Sequence, residues 1–192
     1  MSYTLGFRKI NEIEKQVIIT SFSNISTELA QIIENLKINL YISTESLYIK
    51  NKFPYIFLIL KDQVELLKTL DNNKIISAGL YFGFIKKGNF YLSLEGAEFL
   101  YKNNILSDLK KINVNDKGEK SILYGNNILK NMINTIPDSL KQNDILLIFN
   151  KNDEIIALAR SKYDHQKIQQ LKPKEIIAIN LNDKGYYLRR NQ

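Results

Sequence analysis

In the first half of the chain, apolar positions alternate between helical spacing and short continuous runs. An apolar residue every three or four positions predicts a helix over residues 26–37, capped at its start by Ser26. Six further elements follow from the same patterns: a strand or hairpin over 40–49, a strand over 55–60, a helix over 62–70, strands over 75–84 and 90–94, and a helix over 93–103. Such a mixture within about a hundred residues indicates an α/β domain.

Polar turn signals and two glycines divide these elements. Residues 71–74 predict a turn, and Lys-Lys-Gly-Asn at 86–89 predicts a tight hairpin turn. Gly79 and Gly83 lie inside an apolar run, where glycine marks a bulge or a close approach of two backbones.

The second half has a different pattern, made mostly of short strands. Residues 107–120 are polar, so we place a domain boundary near Leu109, between domains 1–109 and 110–192. Strands are predicted at 112–114, 145–149, 155–159, 176–181 and 186–188, with turns at 150–153 and 182–185 and one helix at 120–127. The predicted fold class is α+β, an N-terminal α/β domain followed by a small mixed β-barrel.

Composition removes several function classes. No run reaches the eighteen or so apolar residues of a membrane helix, and residues 1–10 lack a secretory signal pattern, which indicates a soluble intracellular protein with no membrane contact. The chain has no Cys and a single His, so disulfides, thiolate metal sites and histidine clusters are excluded. We therefore expect no metal and no cofactor.

The sequence also lacks recognisable catalytic motifs. It contains no GxGxxG and no P-loop pattern, and neighbouring carboxylates such as Glu12 and Glu14 fall on different faces of regular structure. His165 is interpreted as an exposed loop or helix-start residue, with Asp164 as a possible helix cap. No catalytic residue is predicted.

Positive charge is the stronger signal. The net charge is +7 and the pI about 9.3; residues 1–110 carry +2 and residues 111–192 carry +5. A basic domain attracts polyanions, although a solubilising surface would have the same composition.

The charge of the second half is concentrated after the predicted strand 155–159. Five cations fall within fifteen positions: Arg160, Lys162, Lys167, Lys172 and Lys174. Cations just beyond a strand reach phosphates without being buried, and Arg can form paired hydrogen bonds to phosphates or base edges. The alternative is a charged, solvent-facing loop.

A second candidate contact lies where the predicted helix begins. Lys117, Gly118 and Lys120 combine charge with a glycine that permits close approach and with free helix amides, although Glu119 opposes an anion there. At the C-terminus, Arg189 and Arg190 are either a contact or a frayed tail.

Three blocks of sequence resemble the Nip-seven family of large-ribosomal-subunit biogenesis factors. Ser-Ile-Leu-Tyr-Gly-Asn-Asn-Ile-Leu-Lys at 121–130 is similar to the family signature, and weaker matches lie at 77–86 and in Gly-Tyr-Tyr-Leu-Arg at 185–189, which matches a last strand. The resemblance covers roughly residues 50 to 190. Ile122 replaces an aromatic residue, and residues 131–134 replace a glycine-containing stretch.

This resemblance implies a C-terminal PUA domain that binds structured RNA. The family's contacts would map onto Lys117, Gly118, Lys120, Tyr124, Arg160, Lys162 and Lys167. Tyr124 is expected either in the core or as a stacking platform, the core being the more common place for such a residue.

The implied function is a non-catalytic factor that binds precursor rRNA through the PUA domain and ribosome-assembly proteins through the N-terminal domain. It would act in the cytoplasm if archaeal and in the nucleus or nucleolus if eukaryotic. Two alternatives remain: an RNA-modification enzyme or its accessory subunit, and a protein-interaction adaptor whose basic charge is incidental.

Overall fold

The computed structural model describes residues 7–23, 39–44, 53–70, 75, 77–105 and 109–189. It divides the chain into two compact units, Met1–Leu106 and Ser107–Gln192. The predicted helix over 26–37, the turn at 71–74 and the predicted hairpin beyond residue 44 lie outside the described residues.

The N-terminal unit contains a five-stranded antiparallel sheet in the order β1-β2-β3-β4-β5. Its elements in chain order are β1 Phe7–Lys9, α1 Glu12–Ser23, β2 Asn39–Ser43, β3 Tyr55–Ile59, α2 Lys61–Lys68, β4 Leu80–Lys86, β5 Asn89–Leu92 and α3 Leu94–Lys102. One sheet face is apolar and buried, and it includes Ile42, Ile56 and Phe82. Phe22 of α1 packs there, with its ring centroid 6.1 Å from that of Phe82.

The hairpin turn and the bulge of this unit agree with the predictions, and α3 begins with a side-chain cap. Lys87 and Gly88 both have positive φ, 49° and 73°, as a tight hairpin turn requires. The Ser93 hydroxyl accepts a hydrogen bond from the Gly96 amide at 2.9 Å and so caps α3. A Cβ on Gly83 would overlap the Tyr91 carbonyl, and the register shifts opposite it, which confirms a bulge with close backbone approach.

Three N-terminal features differ from the predictions. β4 begins at Leu80, not at residue 75, and β1 and α1 were not predicted. In α1 only Ile18 and Phe22 are buried, so the apolar run around them does not form a broad stripe at helical spacing.

The C-terminal unit is a six-stranded sheet in the order β7-β11-β10-β9-β6-β8. Its elements are β6 Lys110–Val114, α4 Asp116–Leu123, β7 Ile128–Leu129, a 3-10 turn Lys130–Met132, β8 Ile133–Thr135, β9 Ile145–Phe149, β10 Ile155–Ser161, α5 His165–Gln170, β11 Ile176–Asp183 and α6 Tyr186–Arg189. β6 and β9 are parallel and the other pairs antiparallel. Because the edge strands β7 and β8 are joined by three residues, the sheet curls into a nearly closed barrel, which confirms the mixed barrel.

The barrel core is filled by aliphatic side chains from strands and helices together. Ile112, Ile148 and Ile156 meet Ile122 from α4 and Ile168 from α5, all of them no more than 2% exposed. Burying such side chains is the main stabilising contribution for a unit of this size.

The helices of this unit correct two predictions. α4 starts at Asp116, earlier than the predicted residue 120, because the Asn115 side chain accepts a hydrogen bond from the Gly118 amide at 2.9 Å. Residues 186–188 were predicted as a strand but lie in the helical turn α6. A strand would carry residue 189 about 20 Å from Asp183, whereas a helical turn brings the two together. α5 begins at His165, one of the two places that the sequence allowed for this residue.

Candidate nucleic-acid interface

Arg160 lies inside β10, not after a strand end as the sequence suggested. The five residues before it are buried, and Ser161 after it is buried as well, while Arg160 is exposed. Its Cα partners are Ile145 on β9 and Ile179 on β11, so the guanidinium stands on the outer face of the sheet between two aliphatic neighbours. A fork of five N–H donors is therefore presented from a rigid strand.

Lys162 follows directly and is held beside the start of β11. Its amide donates to the Ile177 carbonyl at 2.8 Å, and its Nζ lies 5.4 Å from the centroid of the Tyr163 ring. The hydrogen bond fixes the backbone of Lys162, and its side chain is half-buried.

The other three cations of this cluster are exposed on α5 and on the loop after it. Lys167 lies on α5, whose predicted cap is confirmed because the Asp164 carboxylate accepts from the Lys167 amide at 2.8 Å. Lys172 and Lys174 lie on the loop 171–175, where the Lys172 amide donates to the Glu175 carboxylate at 2.5 Å. The five cations thus fall on one continuous stretch of chain, from β10 through α5 to the loop before β11.

Lys130, the last residue of the signature block, has a structural role that the sequence did not reveal. Its Nζ donates to the carbonyls of Gln169 at 2.5 Å and Leu171 at 2.8 Å. These carbonyls lie at the C-terminal end of α5, where a cation is favourable. Lys130 therefore links the C-terminal end of α5 to the 3-10 turn.

Gly118 is a buried residue of α4 and does not reach the surface. A Cβ there would lie 2.8 Å from the Met132 carbonyl oxygen, and the Gly118 amide is already bonded to the Asn115 side chain. The close approach that this glycine permits is between α4 and the 3-10 turn. We therefore leave Gly118 out of the candidate interface and correct that part of the prediction.

The acidic residues of α4 have partners on the turn between β9 and β10. Asp116 pairs with Lys151 at 3.2 Å, and Glu119 accepts a hydrogen bond from the Asn150 side chain at 3.0 Å. Lys117 and Lys120 are exposed and form no ion pair with any residue that the structure describes. The Glu119 carboxylate is thereby oriented toward Asn150.

Tyr124 lies at the C-cap of α4 and is 76% exposed, so it is not a core residue. Its ring makes no aromatic contact within the described part of the chain. Gly125 after it has φ +86°, a left-handed conformation that ends the helix and turns the chain away.

A polar network fixes the backbone around Tyr124. Arg189 donates to the Leu123 carbonyl and to both oxygens of Asp183, a residue that is 3% exposed. The Asn180 side chain donates to the carbonyls of Ile122 at 3.2 Å and Asn126 at 3.3 Å. Hydrogen bonding to Asp183 raises the pKa of Arg189 above its usual value. Arg189 is thus a structural contact and not a frayed tail; Arg190 lies outside the described residues.

His165 has structural contacts. It is the first residue of α5; its Nδ1 lies 3.2 Å from the Pro137 carbonyl and its Nε2 lies 3.5 Å from Asp138. Within the described ranges, no three His, Asp or Glu side chains lie close enough to hold a metal ion. No helix of the same ranges is long and apolar enough to cross a membrane.

Comparisons with known proteins find matches to both units of the chain. A family model described as the UPF0113 PUA domain matches residues 110–192. The 60S ribosome subunit biogenesis protein NIP7 homolog of Dictyostelium discoideum is 30% identical over 145 residues, which cover 71% of this chain and 79% of that protein. The chain belongs to the Nip-seven (NIP7) family. The resemblance inferred from the signature block is confirmed.

Two further matches are to an archaeal relative and to a solved structure with the same fold. A UPF0113 protein of Archaeoglobus fulgidus is 28% identical over 115 residues, which cover 60% of this chain and span 63% of that relative's length. A conserved PUA domain protein from Thermoplasma acidophilum matches the fold with a TM-score of 0.61 at 15% identity, covering 96% of this chain and 98% of that one. The predicted PUA-type barrel is confirmed.

Proposed function

We propose that this protein is a non-catalytic RNA-binding factor in large-ribosomal-subunit biogenesis and that it binds precursor rRNA through residues 110–192. The observation that carries this is Arg160, which is exposed on the face of a strand whose five preceding residues are all buried. The guanidinium of an arginine held there is open to solvent, and a phosphate or a base edge would complete its hydrogen bonds.

The remaining cations extend this contact along the unit. Lys162 directly follows β10. The amides of Ser161 and Lys162 donate to the carbonyls of Asp144 and Ile177, which fixes the backbone here. Lysine supplies charge without fixed geometry, so it suits phosphates, and the sum of such contacts makes affinity depend on salt. The proposed interface comprises Lys117, Lys120, Tyr124, Arg160, Lys162, Lys167, Lys172 and Lys174.

In this proposal the two units have different binding partners. Residues 110–192 are the PUA RNA-binding domain, and residues 1–109, which are nearly neutral in charge, contact ribosome-assembly proteins. The protein acts without a cofactor. Its place of action is the cytoplasm in an archaeal cell and the nucleus or nucleolus in a eukaryotic one.

The test compares RNA binding of the native chain with that of the Arg160→Ala/Lys162→Ala double variant at two salt concentrations. Each lost phosphate contact lowers the slope of log affinity against log salt by about one. The double variant should bind more weakly with a slope flatter by about one to two. Lys86→Ala/Lys87→Ala, on the hairpin of the N-terminal unit, is the matched control and should bind like the native chain. An unchanged affinity and slope in the first variant would contradict the proposal.

A further inference from the structure

A row of three aromatic side chains crosses three strands of the sheet in the N-terminal unit. Tyr55 on β3 lies opposite Phe84 on β4, and Phe84 lies opposite Tyr91 on β5. Residues directly opposite each other on neighbouring strands project from the same face of a sheet. Tyr91 is 40% exposed, and Tyr55 and Phe84 are half-buried. We call these three residues the aromatic row.

The aromatic row lies on the sheet face that α1 does not cover. Phe90, which precedes Tyr91, points to the other face and packs on Phe22 of α1, with the ring centroids 5.4 Å apart. On the face of the row, Leu67 of α2 packs in a cluster with Phe7 of β1. Since β1 and β5 are the two edges of the sheet, the row lies toward the edge opposite the one where this cluster begins.

Contacts within the unit hold the rings of the row in place. The Phe84 and Tyr91 rings stack with centroids 5.1 Å apart and an interplanar angle of 12°, and Tyr55 meets Tyr81 edge to face at 5.7 Å. The ring of Phe53, just before β3, lies 6.0 Å from that of Phe84. Rings that are already ordered lose little conformational entropy when a partner binds to them.

The charges near the row are few and positive. The five strands that the structure describes in this unit contain no Asp or Glu, and their cations are Arg8, Lys9 and Lys86. Lys86 lies two positions after Phe84 and therefore on the same face, and its Nζ is 4.7 Å from the Phe53 ring centroid. An aromatic surface with few charges is typical of the core of a protein interface, whereas an RNA backbone needs many cations. These features favour a protein partner that has negative charge opposite Lys86.

The spacing of the row matches that of an extended proline-containing segment. Neighbouring strands are about 4.8 Å apart, so Tyr55 and Tyr91, two strands apart, are separated by about 10 Å across the sheet. A polyproline II segment rises about 3.1 Å per residue and repeats every three residues, or about every 9 Å. Two prolines three positions apart would therefore reach both ends of the row. Because proline has a fixed φ, such a segment loses little entropy on binding.

We infer that the aromatic row binds an extended Pro-x-x-Pro segment of a ribosome-assembly protein and that an acidic residue of this segment pairs with Lys86. This inference rests on the proposed function, which gives the N-terminal unit protein partners, and it adds the surface and the chemistry of the partner. The two prolines pack on Tyr55 and Tyr91. The tyrosine hydroxyls donate to carbonyls of the segment, which has no internal hydrogen bonds.

The experiment measures the fluorescence anisotropy of labelled peptides titrated with the full chain. The probe is a Pro-x-x-Pro peptide with aspartates on both sides, and the comparison peptides replace its prolines with alanine or its aspartates with lysine. The native chain should bind the probe most tightly. Tyr91→Thr, which keeps a residue that favours strands, should weaken binding about tenfold, and Tyr91→Phe should bind like the native chain. Tyr124→Ala, at an exposed tyrosine of the C-terminal unit, is the control and should bind the probe normally.

The charge pairing is tested separately at Lys86. Lys86→Ala should weaken binding of the probe about two- to fivefold, as expected for one exposed ion pair, and should reduce the preference for the aspartate peptide over the lysine peptide. Lys87→Asn is the matched control, because it removes a neighbouring charge and asparagine tolerates the positive φ of 49° at this position. Equal effects of the two substitutions would contradict a specific pair at Lys86.

The possible failures are distinguishable. Peptide binding is measured without RNA, so a chain that binds the probe but no RNA would refute only the RNA-binding part of the proposed function. If Tyr91→Thr is folded by circular dichroism and binds the probe like the native chain, or if the native chain does not prefer the probe over its alanine version, the docking site is wrong. If single-stranded oligouridine displaces the probe and Tyr91→Thr weakens RNA binding, the row is an RNA surface and the inference is overturned. If Tyr91→Thr does not fold, the alanine peptide and Lys86→Ala still decide.

Discussion

Arg189 donates to both carboxylate oxygens of Asp183, Nη1 to Oδ1 at 2.9 Å and Nη2 to Oδ2 at 3.0 Å. The same guanidinium donates to the Leu123 carbonyl, so one side chain joins the 185–189 block to the 121–130 block. The two family-like blocks of the C-terminal unit are therefore held together by one side chain. Through this contact the 185–189 block supports the backbone next to Tyr124.

Replacing Arg189 should destabilise the C-terminal unit. Arg189→Met leaves the buried Asp183 carboxylate without its main partner, a loss of about 2–4 kcal/mol given that the Arg side chain is partly exposed. Urea unfolding followed by circular dichroism measures it. Arg160→Met, at an exposed arginine on the same unit, should change the free energy of unfolding by less than about 0.5 kcal/mol. Equal stabilities of the two variants would contradict this account.

Substitutions at the adjacent residues Lys117 and Gly118 should affect different quantities, RNA affinity at Lys117 and stability at Gly118. Gly118→Ala places a Cβ 2.8 Å from the Met132 carbonyl, so α4 must shift and stability should fall by about 1–3 kcal/mol, despite the better helix propensity of Ala. Lys117→Ala should leave stability nearly unchanged and weaken RNA binding about two- to fivefold, as expected for one lost phosphate contact. Parallel unfolding and RNA titrations check both. The reverse assignment of effects would show that Gly118 contacts RNA.

The sequence predicts those elements whose pattern is local. β3 and β9 match the predicted strands 55–60 and 145–149 to within one residue, because each is a continuous apolar run between polar turns. The five cations from Arg160 to Lys174 lie on adjoining elements for the same reason, since they are near one another in the chain.

The features that the sequence did not predict depend on contacts between distant residues. The backbone before Tyr124 is bonded to Asn180 and Arg189, more than fifty positions away, and no local pattern indicates these contacts. Helix α6 was predicted as a strand because Tyr-Tyr-Leu has high β propensity, whereas the Arg189–Asp183 pair requires a helical turn. Gly118 was predicted to approach RNA, but the backbone it approaches is that of Met132.

In the N-terminal unit, the ion pair between Arg8 and Glu14 should make stability depend on pH. Burial raises the pKa of Glu14, but hydrogen bonds from Arg8 and from the Asn11 amide, together with the charge of Arg8, outweigh it, so the pKa lies below its usual value. A carboxyl whose pKa is lowered by folding contributes stability above its unfolded pKa and loses it as pH falls through the folded pKa.

The pH dependence can be isolated with one substitution. Glu14→Gln should cost about 1 kcal/mol near neutral pH, a modest value because Arg8 is about one-third exposed, and the difference from the native chain should shrink as pH falls below about 4.5. Urea unfolding of the two proteins across this range measures it. Glu12→Gln, at an exposed neighbour on the same helix, is the control and should track the native chain near neutral pH. A Glu14→Gln deficit that stays constant down to pH 3 would mean that the glutamate acts through packing and not through its charge.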